Sequence, residues 1–556
     1  MNGFEAQLPQ TLQTAVDACL ARAAAENWPQ RLWDADASLW TGGDEAKWVG
    51  WLAAGLGKQV DFAALKALGE RARGHKDVVL LGMGGSSLGP EVLSEIIDAA
   101  PGSPTVHALD STDPGQVSTI AGKIDPKEAL FLVASKSGST MEPELLRAYF
   151  WDLAGEDGSR FVAVTDPGSK LEKLAKEHRY SAIFLGDPAI GGRYSVLSVF
   201  GMVPAAMMGI DVEAFFARIA PMAAACGGDV APADNPGVKL GAIMGEAAVS
   251  GRDKLTIMTS PSLEPIGAWL EQLLAESTGK QGKGIVPVDV EPLVPAEDYG
   301  TDRLFALLTL DGDDDAEVVK QADALVAAGQ PVVRITLASK DLIGQEFFRW
   351  EIGTAIAGAV IGIDPFDQPD VEDAKIKTRE LIDAYESSGS LAPETPFHED
   401  ATLAFSAPGD HTFAATDPVE ILRDHFASAT AGDYVGFLVY LERNAEHEAI
   451  VSRMRKAVVE AKAVATIAGF GPRFLHSTGQ AYKGGPKSGV FLEITRTPDP
   501  DVAIPGRKAS FGIVQLAQAR GDLDVLASRG QRTLRVHLKD GNLAALETLI
   551  EDALAD

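Results

Sequence analysis

The chain has 556 residues, 46% of them hydrophobic and 23% charged, which is the composition of a globular protein with room for several domains. A formal net charge of −30 argues against nucleic acid or an anionic membrane surface as a partner. Two cysteines are too few for a disulfide framework, and they suggest no metal site. The apolar stretches 195–209 and 351–363 are too short or too interrupted to span a bilayer. The sequence therefore predicts a soluble cytoplasmic protein.

Residues 1–70 are predicted to be a helical segment rich in tryptophan, and strands alternate with helices beyond it. In residues 71–215 the strands are predicted at 77–82, 130–135, 160–165 and 181–186, and the helices at 90–99, 141–154 and 168–178. Such alternation is typical of the α/β class, in which helices cover both faces of a parallel sheet. Ligands of these sheets bind beyond the carboxyl ends of the strands.

Residues 216–385 are predicted to form a second domain of the same kind. Its elements, in chain order, are a strand at 254–259, a helix at 263–276, a strand at 304–310, a helix at 315–328, a strand at 331–337 and a long helix to about 362. Residues 386–429 are then predicted to be a linker, because serine, glycine, proline and acidic residues accumulate between 386 and 418.

The last part of the chain resembles an earlier part. Residues 329–337 are similar to residues 530–538, at an offset of 201, and residues 277–284 are similar to residues 477–484, at an offset of 200. Two matches at nearly one offset indicate that residues 430–556 form a third α/β unit copied from the second. The alternative is chance similarity between short glycine-rich pieces.

A hydroxyl-rich turn follows the apolar run 130–134 and precedes a helix that should begin near Met141. Hydroxyls of Ser135, Ser137 and Thr140, together with free N–H groups at the helix N-terminus, favour an anion such as phosphate, and Lys136 adds positive charge. The alternative is that these side chains only cap the helix. One cap would suffice, so four hydroxyl residues in six positions favour an anion site.

Two further glycine-rich turns are candidates. Residues 82–90 include Gly85 and Ser86, but they match neither a Walker loop nor a dinucleotide fingerprint, and a tight turn without a ligand explains them equally well. Residues 191–195 read Gly-Gly-Arg-Tyr-Ser, and the cation of Arg193 is suited either to offset an oxyanion or to form a structural ion pair.

Glu276 ends an apolar helix, where its charge opposes the helix dipole, and such a locally unfavourable residue is a functional candidate. The sequence Asp-Pro-Phe-Asp-Gln-Pro at 364–369 then ends the apolar helix that precedes it, and Lys375 is predicted to lie about two turns into the helix that follows. Taken alone, each of these residues is better explained as a solvated surface side chain, because most glutamates at helix ends and most lysines on helices are exposed.

Taken together, these segments resemble one family. Residues 82–90, 135–142, 191–195, 276–280 and 366–375 occur in the order and spacing of phosphoglucose isomerase, which is built from sugar-isomerase (SIS) domains. The resemblance covers about residues 75–385. The whole chain most resembles the isomerase half of bacterial proteins in which a transaldolase precedes the isomerase, although the residues before the first strand are too few for a (β/α)8 barrel.

The resemblance implies interconversion of glucose 6-phosphate and fructose 6-phosphate without a cofactor, by ring opening and proton transfer between C2 and C1 through a cis-enediol. Glu276 matches the family's base, Arg193 the residue that stabilises the enediol, and Lys375 the ring-opening lysine. The remaining matches imply substrate contacts, to the phosphate or to the sugar hydroxyls: Gly85, Ser86, Ser135, Ser137, Thr140, Glu142 and Gln368.

One departure from the family pattern concerns a histidine that assists ring opening and comes from the partner subunit. The corresponding residues 297–305 contain no histidine, and Arg303, which stands nearest, cannot exchange protons near neutral pH. Residues 474–480, however, resemble the family's histidine segment, and the internal repeat equates His476 with Glu276. We therefore predict that the third domain delivers His476 to the site; the alternative is a structural histidine.

Other interpretations remain open at this level. A non-catalytic sugar-phosphate sensor would need the hydroxyl loop but not Glu276, Arg193 and Lys375 together. An isomerase that also accepts mannose 6-phosphate is a nearer competitor. The family's homodimer is the default expectation, and a third domain that covers the dimer interface would leave a monomer.

Overall fold

The computed structural model describes residues 1–408 and 413–555, and the described strands form three sheets. The N-terminal segment contains β1 (Glu5–Gln7), α1 (Gln10–Ala25), α2 (Trp28–Trp33), α3 (Trp51–Gly55) and α4 (Phe62–Ala72). Its tryptophans attach it to the rest of the protein: Trp51 is fully buried, and Trp40 donates its indole N–H to Ala355 O at 2.8 Å.

The first sheet is parallel and has the order β3-β2-β4-β5-β6. Its strands are β2 (Asp77–Leu81), β3 (Thr105–Leu109), β4 (Leu130–Ala134), β5 (Phe161–Thr165) and β6 (Ala182–Leu185). The helices of this region are α5 (Leu88–Ile96), α6 (Pro114–Lys123), α7 (Met141–Leu153), α8 (Lys170–Glu177), α9 (Val199–Met207), α10 (Val212–Ala225) and α11 (Pro236–Val249). The four predicted strands are confirmed to within a residue at each end. The edge strand β3 was missed because it is only half-buried and lacks an apolar run.

The strand order of the first sheet reverses between β2 and β4, since the chain leaves β2 toward one edge and returns through β4 toward the other. Clefts at such a reversal, beyond the carboxyl ends of the strands, are where α/β sheets bind ligands. The loops after β2 and β4 are the two predicted substrate loops, residues 82–90 and 135–140.

The second sheet has four parallel strands in the order β10-β9-β7-β8, and β1 extends it by antiparallel pairing with β10. The strands are β7 (Lys254–Thr259), β8 (Val286–Val288), β9 (Arg303–Leu310) and β10 (Val332–Leu337). The helices are α12 (Ile266–Thr278), α13 (Ala316–Ala327), α14 (Ile343–Ile361) and α15 (Glu372–Ser388). Each element predicted here is present, whereas the three-residue β8 and the helix α11, which also lies in residues 216–385, were missed.

The third sheet repeats this arrangement, because its parallel strands have the order β16-β15-β13-β14 and β12 pairs antiparallel with β16. Its strands are β11 (His398–Glu399), β12 (Leu403–Ser406), β13 (Tyr434–Tyr440), β14 (Ala465–Phe470), β15 (Gly489–Arg496) and β16 (Arg532–Leu538). The helices are α16 (Pro418–Ala427), α17 (Ala445–Lys462), α18 (Gly479–Gly484), α19 (Phe511–Ser528) and α20 (Leu543–Leu554). The α/β class and a third C-terminal unit are thus confirmed, and its origin by duplication stays a prediction.

The structure differs from the sequence analysis in the predicted linker. Within residues 386–429, β11 and β12 belong to the third sheet, and α16 packs against α20. The composition was misleading because these short strands lie at the edge of the sheet and obtain their pairing from the distant β16. Residues 409–412, also in this segment, lie outside the described residues.

The shared strand order also corrects the predicted equivalence of His476 and Glu276. Glu276 lies on α12, which follows β7, and the counterpart of α12 in the third unit is α17. His476 instead ends the 3-10 turn Arg473–His476 after β14. The two similar segments face each other directly: Gly282 N donates to Gly484 O, and Gln480 Nε2 donates to Gly279 O, both at 2.9 Å.

The second and third units share a buried polar interface. Glu291 accepts from the two terminal guanidinium nitrogens of Arg303, Nη1 at 2.8 Å and Nη2 at 3.2 Å, and from Thr466 N at 2.7 Å. Arg303 is fully buried in this contact, so it holds the two units together and is not a substitute for the missing histidine. Among the described helices, none is long and apolar enough to cross a membrane.

Candidate active site

The hydroxyl loop lies at the N-terminus of α7, which begins at Met141 as predicted. Ser135 Oγ is 3.5 Å from Thr140 Oγ1, and Ser137 Oγ accepts from the N–H and hydroxyl of Ser139 at 3.2 and 2.9 Å. Thr140 occupies the N-cap position, yet within the described structure its side chain caps no N–H of the helix. The first turn of α7 therefore keeps N–H groups available for an anion.

The hydroxyl loop requires glycine at position 138, and its lysine, Lys136, already forms contacts within the protein. Gly138 has φ +64°, and a Cβ there would lie 2.4 Å from Leu171 N, so a larger residue would open the turn. Lys136 Nζ lies 2.9 Å from Asp166 Oδ1 and donates to Asp187 O at 3.2 Å. Because this charge is neutralised locally, hydroxyls and backbone N–H groups are better placed than Lys136 to bind phosphate.

The turn after β2 is a buried wall of the site. Gly84–Ser86 forms a single 3-10 turn, and a Cβ on Gly85 would lie 1.9 Å from Gly192 O. Glycine at position 85 thus lets this turn contact the turn that carries Arg193. A Cβ on Gly84 would meet His476 O at 2.6 Å, so the same turn also contacts the third unit.

Arg193 is fully buried and held from several sides. Its Nη1 is 3.5 Å from Glu276 Oε2, which joins the two predicted catalytic residues. Its other hydrogen bonds are from Nε to Ser277 Oγ (2.8 Å), from Nη1 to Gln368 Oε1 (2.6 Å), and from Nη2 to Pro365 O (2.7 Å) and Asp367 O (2.8 Å). This network fixes the plane of the guanidinium beside the Glu276 carboxylate.

The connection at 364–368, between α14 and α15, is itself held in place by a buried lysine. Lys280 Nζ lies 2.6 Å from Asp367 Oδ1 and donates to Asp364 O at 2.5 Å. Burial, with the nearby charge of Arg193, lowers the pKa of Lys280 to about 8. Sequence reasoning missed this role, although Lys280 follows Glu276 by four residues and lies in a segment that the analysis had singled out.

Glu276 lies in the last turn of α12 and is 6% exposed. Burial raises the pKa of its carboxyl above the ordinary value, although the positive charges of Arg193, His476 and Lys375 act in the opposite direction. A carboxyl in such surroundings both accepts and returns a proton more readily than an exposed glutamate does.

His476 reaches this site from the third unit. Its Nε2 is 2.9 Å from Glu142 Oε1 in the first unit, and its carbonyl oxygen accepts from Gln272 Nε2 in the second unit at 2.9 Å. All three units therefore meet at this one residue, through its imidazole and its backbone carbonyl. Gln272 was not predicted, but its position four residues before Glu276, on the same helix face, was an available signal.

The contact with Glu142 determines which nitrogen of His476 is free. Although burial raises the pKa of Glu142, the charge and hydrogen bond of His476 lower it overall to below the ordinary value, so the carboxylate is an acceptor only. The proton between them therefore sits on Nε2. The remaining ring nitrogen, Nδ1, is the atom available for proton exchange.

Lys375 lies in the first turn of α15, not two turns into the helix as predicted, because the helix begins only at Glu372. Its side chain is 42% exposed, and its Nζ is 3.7 Å from Glu372 Oε2. Its positive charge opposes the rise in pKa that burial causes at Glu276 and contributes to the lowered pKa of Glu142. Direct contacts thus join Arg193 to Glu276 and Gln368, and join Glu142 to His476. His476 and Lys375 act on the Glu276 carboxyl through their charge.

The chain is similar to known proteins. Residues 60–289 match the family model described as phosphoglucose isomerase. A glucose-6-phosphate isomerase of Rubrobacter xylanophilus is 32% identical over 361 residues, covering 55% of this chain and 82% of that protein. A probable glucose-6-phosphate isomerase of Natronomonas pharaonis is 31% identical over 360 residues, covering 57% of this chain and 82% of that protein.

Solved structures share the fold. A hypothetical protein of Thermus thermophilus superposes with a TM-score of 0.60 at 23% identity and covers 68% of this chain and 99% of its own. A glucose-6-phosphate isomerase of Chlamydia trachomatis superposes with a TM-score of 0.52 at 20% identity and covers 60% of this chain and 78% of its own. At these identities the likeness concerns the arrangement of helices and strands.

Proposed function

Because this chain belongs to the phosphoglucose isomerase family, it is an isomerase that interconverts glucose 6-phosphate and fructose 6-phosphate, and we propose that the residues around Glu276 carry out this reaction. The observation that supports this assignment is the contact of a buried carboxyl with a fully buried guanidinium, next to a histidine–carboxylate pair. The reaction needs a base, a cation and a proton donor, and these groups supply one of each.

In this proposal Glu276 moves the proton. Its carboxylate removes the proton from C2 of the open-chain aldose and returns it to C1, while the hydroxyl proton on O2 passes to O1. These two transfers convert the aldehyde into the ketose through a cis-enediol. The raised pKa of Glu276 suits this exchange, since the carboxyl must hold the proton briefly and then release it.

Arg193 stabilises the charge that develops on the enediol oxygens. Its guanidinium is held in place by four acceptors besides Glu276, so it needs no rearrangement as the charge forms. A preorganised cation in a site without bulk water stabilises such a transition state more than the neutral ground state.

His476 opens and closes the sugar ring. With Nε2 bound to Glu142, its Nδ1 exchanges a proton with the ring oxygen, and Lys375 contributes positive charge nearby. The phosphate binds at the N-terminus of α7 through Ser135, Ser137 and Thr140, while Gly85 and Ser86 form the adjoining wall. Gln368 faces the substrate from the side of Arg193.

Two broader interpretations are less well supported. A non-catalytic sugar-phosphate sensor has no need of the buried Glu276 and Arg193 pair, and the relatives reported above are named for glucose-6-phosphate isomerase rather than for a dual activity on mannose 6-phosphate. These facts favour the single isomerase activity.

We further propose that the enzyme acts in glycolysis and gluconeogenesis in the cytoplasm, and that one chain is sufficient for a complete site. Both cysteines, Cys19 and Cys226, are free and buried, which suits a reducing compartment. Because His476 comes from the same chain as Glu276, catalysis needs no histidine from a second subunit. Light scattering of the active enzyme would test this, since activity confined to a dimer fraction contradicts it.

The function is tested by assaying the purified chain with glucose 6-phosphate, fructose 6-phosphate and mannose 6-phosphate. Interconversion of the first two, lost in Glu276→Gln while the sugar phosphate still binds, supports the proposal. Comparable turnover of mannose 6-phosphate would replace it with the dual activity. Binding without turnover in the unmodified enzyme would replace it with a sensor.

A further inference from the structure

Gln518 contacts the histidine–carboxylate pair from a part of the chain that the family match does not reach. It lies on α19 in the third unit and is 1% exposed. Its side-chain Nε2 donates to Glu142 Oε1 at 2.6 Å, and its Oε1 accepts from Thr112 Oγ1 at 2.7 Å. The carboxylate oxygen that binds His476 therefore receives a second hydrogen bond from Gln518.

The orientation of this amide follows from its neighbours. Glu142 is ionised and accepts only, so the amide must turn its nitrogen toward Glu142 and its oxygen toward Thr112, whose hydroxyl donates. Thr112 is fully buried and belongs to the first unit. A continuous chain of hydrogen bonds thus runs from Thr112 through Gln518 and Glu142 to His476.

We propose that Gln518 is a positioning residue for ring opening, which holds the Glu142 carboxylate in the orientation that keeps the His476 proton on Nε2 and Nδ1 free. The inference rests on the proposed role of His476. Gln518 does not touch the reacting atoms and acts through Glu142. It also makes this alignment depend on α19, so that ring opening requires the third unit to be docked.

The same helix offers a matched control. Gln515 precedes Gln518 by three residues, is also buried, and also donates its amide across the contact with the first unit, to Asp113 Oδ2 at 3.1 Å. Asp113 caps α6 and pairs with Arg496, with no contact to the groups of the active site among the described residues. Gln515→Leu therefore removes an equivalent interface hydrogen bond without touching the pair of Glu142 and His476.

The experiment isolates ring opening from proton transfer. Exchange between the α and β anomers of bound glucose 6-phosphate requires the ring to open and close, and NMR measures it even when Glu276→Gln has stopped transfer at C2. In that background we expect Gln518→Leu to slow enzyme-catalysed anomer exchange about tenfold, the value of one hydrogen bond to a charged group. We expect Gln515→Leu to leave it unchanged.

A second readout separates positioning from a general loss of structure. Gln518 donates to the ionised carboxylate, so Gln518→Leu should raise the pKa of Glu142 and shift the acidic limb of the anomer-exchange profile to higher pH. Thr112→Val, which frees the amide to rotate, should cause the same change to a smaller extent, whereas Thr112→Ser should not. Thr112→Val also keeps the test decisive if Gln518→Leu does not fold.

The outcomes distinguish this inference from the proposed function. If His476→Ala slows anomer exchange but Gln518→Leu and Thr112→Val behave like Gln515→Leu, the positioning role is wrong and the role of His476 stands. If His476→Ala has no effect on anomer exchange, both are wrong. Slower exchange and a shifted acidic limb in Gln518→Leu and Thr112→Val, with neither in Gln515→Leu, support the inference.

Discussion

Arg193 Nη1 lies 3.5 Å from Glu276 Oε2 inside the protein, with the arginine side chain fully buried and that of the glutamate 8% exposed. A short, bidentate pair would stabilise the glutamate as a permanent anion and make it a poor base. Here the guanidinium is bound mainly to other acceptors, so burial outweighs its charge and the pKa of Glu276 is raised. One arrangement thus supplies both a usable base and a nearby cation.

The first prediction concerns pH. Glu276 must be ionised to accept a proton, and because burial raises its pKa, activity should be lost as the pH falls through a value above that of an ordinary glutamate. The measurement is kcat/KM for fructose 6-phosphate as a function of pH. In Arg193→Met, which removes a charge that lowers this pKa, the acidic limb should move to higher pH. An unmoved limb would mean that another group sets it.

The second prediction concerns the cation. Arg193→Ala should lower kcat by a factor that corresponds to about 3–4 kcal/mol, as expected for a preorganised group that stabilises an oxyanion. Arg193→Lys retains the charge but cannot reach the four acceptors that fix the guanidinium, so it should recover only part of the rate. Steady-state kinetics decide this: a raised KM with unchanged kcat would assign Arg193 to ground-state binding instead.

The third prediction concerns the phosphate. Changing Ser137 and Thr140 together to alanine should raise KM for glucose 6-phosphate, because both hydroxyls flank the free N-terminus of α7. Ser94→Ala on α5 is a control, since the Ser94 hydroxyl donates only to Glu91 O within its own helix. A KM in the double variant equal to that of the control would show that phosphate binds elsewhere.

The fourth prediction is that deprotonation of Lys280 causes activity to fall at high pH, which is the basic limb of the pH profile. Its ammonium anchors the turn that supplies acceptors to Arg193, and its pKa is lowered to about 8 by burial and by Arg193. The ammonium loses its proton as the pH rises through that value, so activity should decline above about pH 8. Lys280→Met should lower activity about tenfold at neutral pH, the value of one charged hydrogen bond, and abolish this limb. A basic limb that persists in Lys280→Met would exclude this assignment.

Much of the fold could be predicted, because buried parallel strands are continuous apolar runs. Residues 130–134 and 254–259 are examples that sequence alone located. Half-buried or very short strands such as Thr105–Leu109 and Val286–Val288 lack that signal. The short strand Leu403–Ser406 joins the sheet by pairing with a strand more than a hundred residues away, which local composition does not encode.

The residues of the site likewise fall into two groups, those that local sequence motifs reveal and those that only the folded structure reveals. Arg193 and Glu276 lie in distinctive local motifs, and sequence analysis selected both. Gln518 and Thr112 lie in ordinary helix and loop sequence, and their relevance arises only when the third unit contacts the first. The predicted arrival of His476 depended on a family likeness and on a repeat whose positional equivalence was wrong, yet the side chain is at the site.

Anomer exchange measures whether the third unit supplies the group that opens the ring. In the Glu276→Gln background, NMR would compare exchange between the two anomers of glucose 6-phosphate with and without His476→Ala. We expect the added change to slow enzyme-catalysed exchange about a hundredfold, the scale of a general acid–base group, while sugar-phosphate binding is retained. Exchange at the same rate in both variants would exclude His476 from ring opening.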